Sequence, residues 1–312
     1  MGDKHTERLA ADESGIARAV ALLRAGGTVA LPTETVYGLA ARADDAAAVA
    51  EIYRAKGRPE FNPLIVHVAS PAMARALGRF DAAAEALAAR FWPGPLTLVV
   101  PLAADAPVAP AVTAGLPTIA LRMPDHPAMQ RVLAALEVPL AAPSANRSGA
   151  VSPTQAEHVA HSLGGRIDAI LDGGMTAQGL ESTIVAPRPG GWQLLRPGPI
   201  DEAQLGEVLG PALSGATNGI EAPGQLPSHY SPGKPVRLAA HSAEADEFLI
   251  GFGAVPGHCT LAADGDLARA AARLYACLHE AAASARPRIA VAPIPGYGIG
   301  AAINDRLRRA AA

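Results

Sequence analysis

The sequence predicts an α/β protein built of two unequal units, on three observations. Helical and strand-like patterns alternate through the first two hundred residues. Periodicity is lost across residues 211–235, where Pro, Gly and Ser dominate, and the alternation resumes from Val236 onward. At 312 residues the chain also exceeds the ~250 to 300 residues at which a single core stops growing. We therefore expect a larger unit over 1–210, a connector over 211–235 and a smaller α/β unit over 236–312. Half the residues are hydrophobic but only 4% are aromatic, so Ala, Leu and Val must build the core.

Each element has its own signal. Residues 12–24 place Ile16, Val20 and Leu23 on one helical stripe that stops at Gly26 and Gly27. Residues 28–31 then read as a strand, and Asp44 is expected to cap a helix reaching Lys56. Residues 64–68 form a β-branched strand, 81–91 an Ala-rich helix ahead of the Pro93, Gly94, Pro95 turn, and 96–100 and 118–121 two further strands. Thr154 with Glu157 matches a capping box for a helix over 154–163, and strands are expected at 169–171, 183–185 and 193–195. In the smaller unit the patterns give strands at 236–238, 248–252 and 289–292 and helices at 267–283 and 299–311.

Composition excludes several function classes. Lys and Arg number 26 against 29 for Asp and Glu, so no global basic field exists and any RNA contact is expected to be local and weak. Cys259 and Cys277 are too few for a disulfide framework and lack metal-type spacing, which fits a reducing cytoplasm. No apolar run approaches the ~20 residues of a membrane span, and the N-terminal residues carry no export signal. The glycine-rich nucleotide signatures, the G-x-S-x-G elbow and the H-E-x-x-H zinc motif are all missing, and His158 with His161 reads as a solvated helix face. If a nucleotide binds, scattered side chains must hold it.

Five segments carry candidate chemistry. Residues 32–39, Pro-Thr-Glu-Thr-Val-Tyr-Gly-Leu, gather hydroxyls and a carboxylate just past a strand, where α/β sheets bind ligands, although a capped turn would gather them too. After Lys56, Gly57 can end a helix and Pro59 forces Arg58 extended, so both cations can face one polyphosphate or simply complement the helix dipole. Strand alternation puts His67 on the face of Ile65, and Arg122 with Thr118 and Ala120; a lone strand histidine is ordinarily a core residue, while the Arg122 fork suits a carboxylate. Residues 143–149, Pro-Ser-Ala-Asn-Arg-Ser-Gly, and Ser152 before a helix offer donors for a phosphate, or a turn.

Together these segments resemble the threonylcarbamoyl-AMP synthase family, the YrdC-like proteins. P-T-E-T-V-Y-G-L, K-G-R-P, P-L-I-V-H-V, W-P-G-P-L-T, T-I-A-L-R-M-P, A-P-S-A-N-x-S-G and E-S-T-I-V occur in family order between Gly26 and Gly198. Ser228, His229, Tyr230, Ser231 and Pro232 resemble the linker motif of the long, two-domain form, and residues 302–307 its C-terminal domain. Gln225, Leu226, Pro227 and Ser228 depart from the Met and basic residues of some members.

The resemblance implies a YrdC-like twisted mixed sheet with a deep cavity, followed by a small Rossmann-like domain. It implies a threonine site of Thr35, His67, Arg122, Ala142 and Ser182. The implied ATP site is Lys56, Arg58, Asn62, Thr118, Ser144, Asn146, Ser152, Arg196 and Tyr230, with Lys56 and Arg58 as the catalytic cations. The implied reaction makes L-threonylcarbamoyladenylate and pyrophosphate from L-threonine, bicarbonate and ATP. Mg²⁺ would arrive with ATP rather than on protein ligands, and the product would pass to a tRNA threonylcarbamoyl-transfer complex. The connector is expected to act as a lid, because the intermediates are labile in water. Two other readings compete: an RNA-binding ribosome-maturation module, and carbamoyl transfer on the same fold.

Overall fold

Chain order in the computed structural model, which describes residues 4–213, 221–223 and 229–312, begins with β1 (Glu7–Ala10), α1 (Glu13–Arg24), β2 (Val29–Leu31), β3 (Gly38–Arg42), α2 (Ala46–Lys56) and β4 (Ile65–His67). It continues through α3 (Pro71–Leu77), α4 (Ala82–Phe91), β5 (Leu96–Pro101), α5 (Pro110–Thr113), β6 (Thr118–Arg122), α6 (Pro127–Leu136) and β7 (Leu140–Ala141). The larger unit closes with α7 (Ala156–Leu163), β8 (Ala169–Asp172), β9 (Thr183–Arg188), β10 (Gly191–Arg196) and α8 (Glu202–Leu209). The smaller unit holds β11 (Val236–Arg237), β12 (Glu247–Gly251), β13 (Cys259–Thr260), α9 (Leu267–Ala283), β14 (Arg288–Val291) and α10 (Ile299–Ala310).

The larger unit is one ten-stranded mixed sheet in the order β1-β8-β2-β3-β7-β4-β6-β5-β9-β10, and the smaller is a four-stranded sheet, β11-β14-β12-β13. All three pairings in the smaller sheet are parallel. Strand alternation divides the large core between the two faces. Val29, Leu31, Ala169 and Leu171 pack against Ile16 and Leu23 of α1 and Met129 and Leu133 of α6. Ala30 and Ile170 point the other way, into the cluster that holds Val49 and Ile52 of α2 and Leu87 of α4.

Caps decide where several helices begin, and two differ from the sequence reading. Asp12 and Asp81, which open the ranges expected for these helices, cap α1 and α4, accepting from the Gly15 and Ala84 amides. Asp45, not Asp44, caps α2: its Oδ1 accepts from Ala47 N and Ala48 N, at 2.9 and 3.1 Å, while Asp44 is held by the Arg42 guanidinium. Thr154 caps nothing. α7 starts at Ala156, Glu157 is drawn to Arg8, and the Thr154 amide donates instead to His158 Nδ1.

The cysteine reading is also corrected. Cys259 in β13 and Cys277 in α9 form a disulfide, with Cα atoms 6.0 Å apart, because the helix packs across the strand and closes a sequence separation of 18. The pair therefore supports no argument for a reducing compartment. Among the described residues, no helix is long and apolar enough to cross a membrane.

Candidate active site

The middle of the large sheet is where its strands are shortest. β7 has two residues and β4 three, and β4 lies parallel to β6 with His67 opposite Arg122. His67 and Arg122 are thus the last residues of adjacent parallel strands, the edge at which α/β sheets present ligand groups. Ala142 follows β7 directly, its amide donating to Ile65 O at 2.9 Å. These three residues form the floor of a cavity whose walls come from Thr33, Thr35, Val36, Gly38, Arg58, Pro143, Ser144, Glu181, Ser182, Arg196, Pro223, His229 and Tyr230. The cavity volume is about 50 Å³. The cavity is therefore narrow, with its polar groups already drawn together.

Three guanidiniums reach it, each fixed by backbone. Gly57, at φ 59°, ends α2 in the left-handed region that glycine tolerates, and the chain then turns Arg58 inward. Arg58 Nη2 donates to Pro63 O at 2.8 Å and Nε to Asn62 O at 3.2 Å. Burial pushes Arg58 down to about 10, which leaves it charged at neutral pH. Arg196 follows a register shift in β10 after Leu194, a distortion that re-aims side chains. It grips Ser182 O at 2.9 Å and Ser182 Oγ at 3.0 Å. Arg122 donates to Glu34 Oε1 at 2.6 Å and to Gly94 O at 3.2 Å, while Glu34 Oε2 accepts from Asp125 N. Part of the fork expected to meet an amino-acid carboxylate is thus already engaged by Glu34.

Hydroxyls and orphaned acceptors complete the site. Thr33 and Thr35 share a hydrogen bond of 2.8 Å, as do Thr97 and Ser182 at 2.7 Å. Two lining residues carry buried atoms with no partner among the described residues, His67 Nδ1 and His229 Nδ1, and so do two residues that stand behind or beside the cavity, at Asn62 Oδ1 and Asn146 Oδ1. An unmet buried polar atom costs about 1–3 kcal/mol, so this cluster is consistent with a bound ligand that supplies donors. Burial lowers both His67 and His229 to about 3, so both imidazoles are neutral at physiological pH. Tyr230 adopts φ 64°, a left-handed conformation that costs a side-chain-bearing residue roughly 1–2 kcal/mol.

Nine of the residues singled out in the sequence line this one cavity: Thr35, Arg58, His67, Arg122, Ala142, Ser144, Ser182, Arg196 and Tyr230. The other five stand behind it or beside it. Lys56 Nζ donates to the Ser144 and Asn146 carbonyls, and burial followed by Arg58 drives its ammonium well down. It therefore braces the 143–149 loop from behind. Asn146 Nδ2 donates to the Arg147 and Ala150 carbonyls of the same loop, and Asn62 offers its carbonyl to Arg58 and Tyr53. Thr118 opens β6 opposite Pro101, and Ser152 Oγ donates to Glu181 Oε1 at 2.5 Å. Sequence reasoning assigned no role to Glu181, His229 or Thr33, although all lay inside quoted motifs. A carboxylate in the otherwise uncharged stretch 179–187 was the available signal for Glu181. Of the connector, residues 214–220 and 224–228 lie outside the described residues, and with them the departing segment Gln225, Leu226, Pro227 and Ser228.

Similarity to known proteins agrees with this geometry. The Sua5_yciO_yrdC family model, described as "Telomere recombination", matches residues 21–198, and the model for the "Threonylcarbamoyl-AMP synthase, C-terminal domain" matches residues 200–312. The chain belongs to the threonylcarbamoyl-AMP synthase family. The threonylcarbamoyl-AMP synthase of Bacillus subtilis is 47% identical over 251 residues, 78% of this chain and 72% of its own. That of Pyrococcus abyssi is 46% identical over 232 residues, 72% of this chain and 68% of its own. A crystal structure of P. abyssi Sua5 complexed with L-threonine superposes with a TM-score of 0.89 at 35% identity, covering 98% of this chain and 97% of that one. The match to E. coli YciO, with a TM-score of 0.56 at 21% identity over 65% of this chain, shows a shared fold for the synthase domain alone.

Proposed function

We propose that this synthase assembles L-threonylcarbamoyladenylate inside the cavity from L-threonine, bicarbonate and ATP, with released pyrophosphate as second product. The observation that carries the reading is convergence. Arg58, Ser144 and Arg196, far apart in sequence, meet Thr35, His67, Arg122 and Ser182 in one enclosed space. The Sua5 structure that holds L-threonine supports this amino acid as a substrate.

The chemistry needs positioning more than covalent help from the protein. The threonine amine combines with bicarbonate, losing water, to give an N-carboxylate. Its oxygen attacks the α-phosphorus of ATP, the α–β bridging bond breaks, and pyrophosphate leaves with that bond's electron pair. Arg58 and Arg196 offset charge that grows on the phosphates, and fixed cations in a dry site do this without reorganising. Arg122 with Ser182 orients the amino-acid end, and neutral His67 accepts a hydrogen bond there without adding charge. Mg²⁺ would arrive as a companion of the triphosphate: the unmet Oδ1 atoms of Asn62 and Asn146 are hard-oxygen acceptors of the kind it takes, and it would neutralise phosphate charge.

The three cavity arginines are less than 9% exposed, so they cannot form the open basic surface that an RNA-binding module needs. Transfer of the product to a tRNA threonylcarbamoyl-transfer complex belongs to the same proposal, since the mixed anhydride must be consumed by an acceptor. Capture of radiolabelled bicarbonate tests the reading. Label should enter an adenylate only when threonine and ATP are both present, with serine a poor substitute; no capture of bicarbonate, with pyrophosphate released from ATP and carbamoyl phosphate in the absence of threonine, would point to carbamoyl transfer instead.

A further inference from the structure

The C-terminal domain reaches the cavity wall through one buried guanidinium. Arg306, on α10, is 0% exposed. Its Nε donates to Glu181 Oε2 at 2.9 Å, Nη2 to Pro197 O at 2.9 Å and Nη1 to Asp305 Oδ2 at 2.7 Å. Its guanidinium carbon lies 5.3 Å from the centroid of the Tyr230 ring, which stacks in turn on Tyr275 of α9. Glu181 accepts from Tyr275 Oη at 2.8 Å and from Ser152 Oγ on its other oxygen. Arg306 thus touches three segments that line or adjoin the cavity: Glu181 beside Ser182, Pro197 beside Arg196, and Tyr230.

Two independent features show that this seam is built rather than incidental. Gly179, at φ 69°, lets the chain run against α9 so closely that an added Cβ would lie 2.4 Å from Ala272 Cα. The core of the C-terminal domain also takes in Val36, Val151, Leu180 and Tyr230, of which Val36 and Tyr230 line the cavity. Apolar packing would suffice to dock the two units. A charged pair at its centre, costly to desolvate, adds a fixed geometry instead.

We propose that Arg306 is a positioning residue for the synthase reaction, setting the cavity face formed by Glu181, Pro197 and Tyr230 from within the C-terminal domain. Three donors on separate acceptors, plus a flat face against Tyr230, are a task for Arg that the Lys ammonium cannot reproduce. The strained Tyr230 backbone is then held by the ring contacts on either side. Its position can be read directly, because the Ser231 amide donates to Gly149 O at 2.8 Å across the seam.

The test uses the full chain as wild type, Arg306→Lys, the charge-free double variant Glu181→Gln/Arg306→Met, and Tyr275→Phe, which removes a single oxygen. Amide exchange at Ser231 is compared with exchange at β5 in the same molecules, and kcat and KM for ATP are measured by pyrophosphate release. We expect Ser231 in both Arg306 variants to exchange at least about tenfold faster with β5 unchanged, and kcat/KM for ATP to fall about tenfold or more. If an Arg306 variant loses protection at β5 as well, Tyr275→Phe is read by the same comparison. Wild-type protection at Ser231 in the folded variants would overturn the proposal. The kinetic arm rests on the synthase reading; a wild-type protein that releases no pyrophosphate would reject that reading while exchange still decides this one.

Discussion

At the residue scale, the cavity assigns different work to its cations. Arg58 is buried and charged, and among the described residues its hydrogen bonds run to the Asn62 and Pro63 carbonyls and to no carboxylate. Arg58→Ala should therefore leave the fold intact by circular dichroism yet lose at least ~2 kcal/mol of transition-state stabilisation, about thirtyfold in kcat/KM for ATP. Near wild-type turnover would remove Arg58 from the phosphate site. Arg122 is different, since Glu34 already holds one of its nitrogens. A lysine there would spend its single point charge on Glu34, so Arg122→Lys should raise the KM for threonine with a smaller effect on kcat; an unchanged KM would exclude Arg122 from the amino-acid end. Positions at this scale were legible where a motif exposes the chemistry: Arg58 and Arg122 both line the cavity. Lys56 looked identical to Arg58 in sequence, and only packing shows that its ammonium braces the Ser144 and Asn146 carbonyls instead.

At the scale of elements, long amphipathic patterns were readable and short or polar ones were not. The helix expected over 267–283 is α9 residue for residue, because seventeen residues of strong periodicity leave little ambiguity. β1 went unseen because Glu7 and Arg8 face outward along a polar edge, and β3 because Gly-Leu-Ala-Ala-Arg has weak strand propensity and is a strand only by pairing with β2 and β7. A strand is legible near Leu140, where β7 lies, but its two residues are too few for a period to set its bounds. Adjacent aspartates at 44 and 45 were equally good caps on paper, and the structure distinguishes them. Asp45→Ala should cost about 1 kcal/mol in urea unfolding, for two lost amide partners. Asp44→Ala should cost no more than ~0.5 kcal/mol, because its pair with Arg42 is partly solvated. Equal costs would contradict the cap assignment.

For the whole molecule, closing so many polar groups into one seam has a pH signature. His67 and His229 are held neutral in the fold, near 3, by burial, so the unfolded chain takes up their protons first, below about 6.5. Their contribution is complete above pH 6.5 and declines as pH falls toward 3. For Glu181, burial raises the carboxyl, but Arg306 and Arg196 outweigh it and leave it at about 2, so its contribution is present above about 4.5 and is lost between there and 2. The urea midpoint should therefore start to fall below pH 6.5, before most carboxylates titrate; a midpoint flat from pH 7 to 4.5 would contradict the buried neutral histidines. The cavity as a unit was not visible in any single stretch of sequence, since its walls come from both ends of the large sheet, the connector and the domain seam. The family resemblance of the motifs supplied the grouping, and the parallel pairing of His67 with Arg122 supplies the physical reason for it. The most direct test is a crystal structure of the protein with L-threonine and a non-hydrolysable ATP analogue. Our account predicts the triphosphate within hydrogen-bonding distance of Arg58, Ser144 and Arg196, and the amino acid beside His67, Arg122 and Ser182. Either ligand bound on another surface, with these residues untouched, would contradict it.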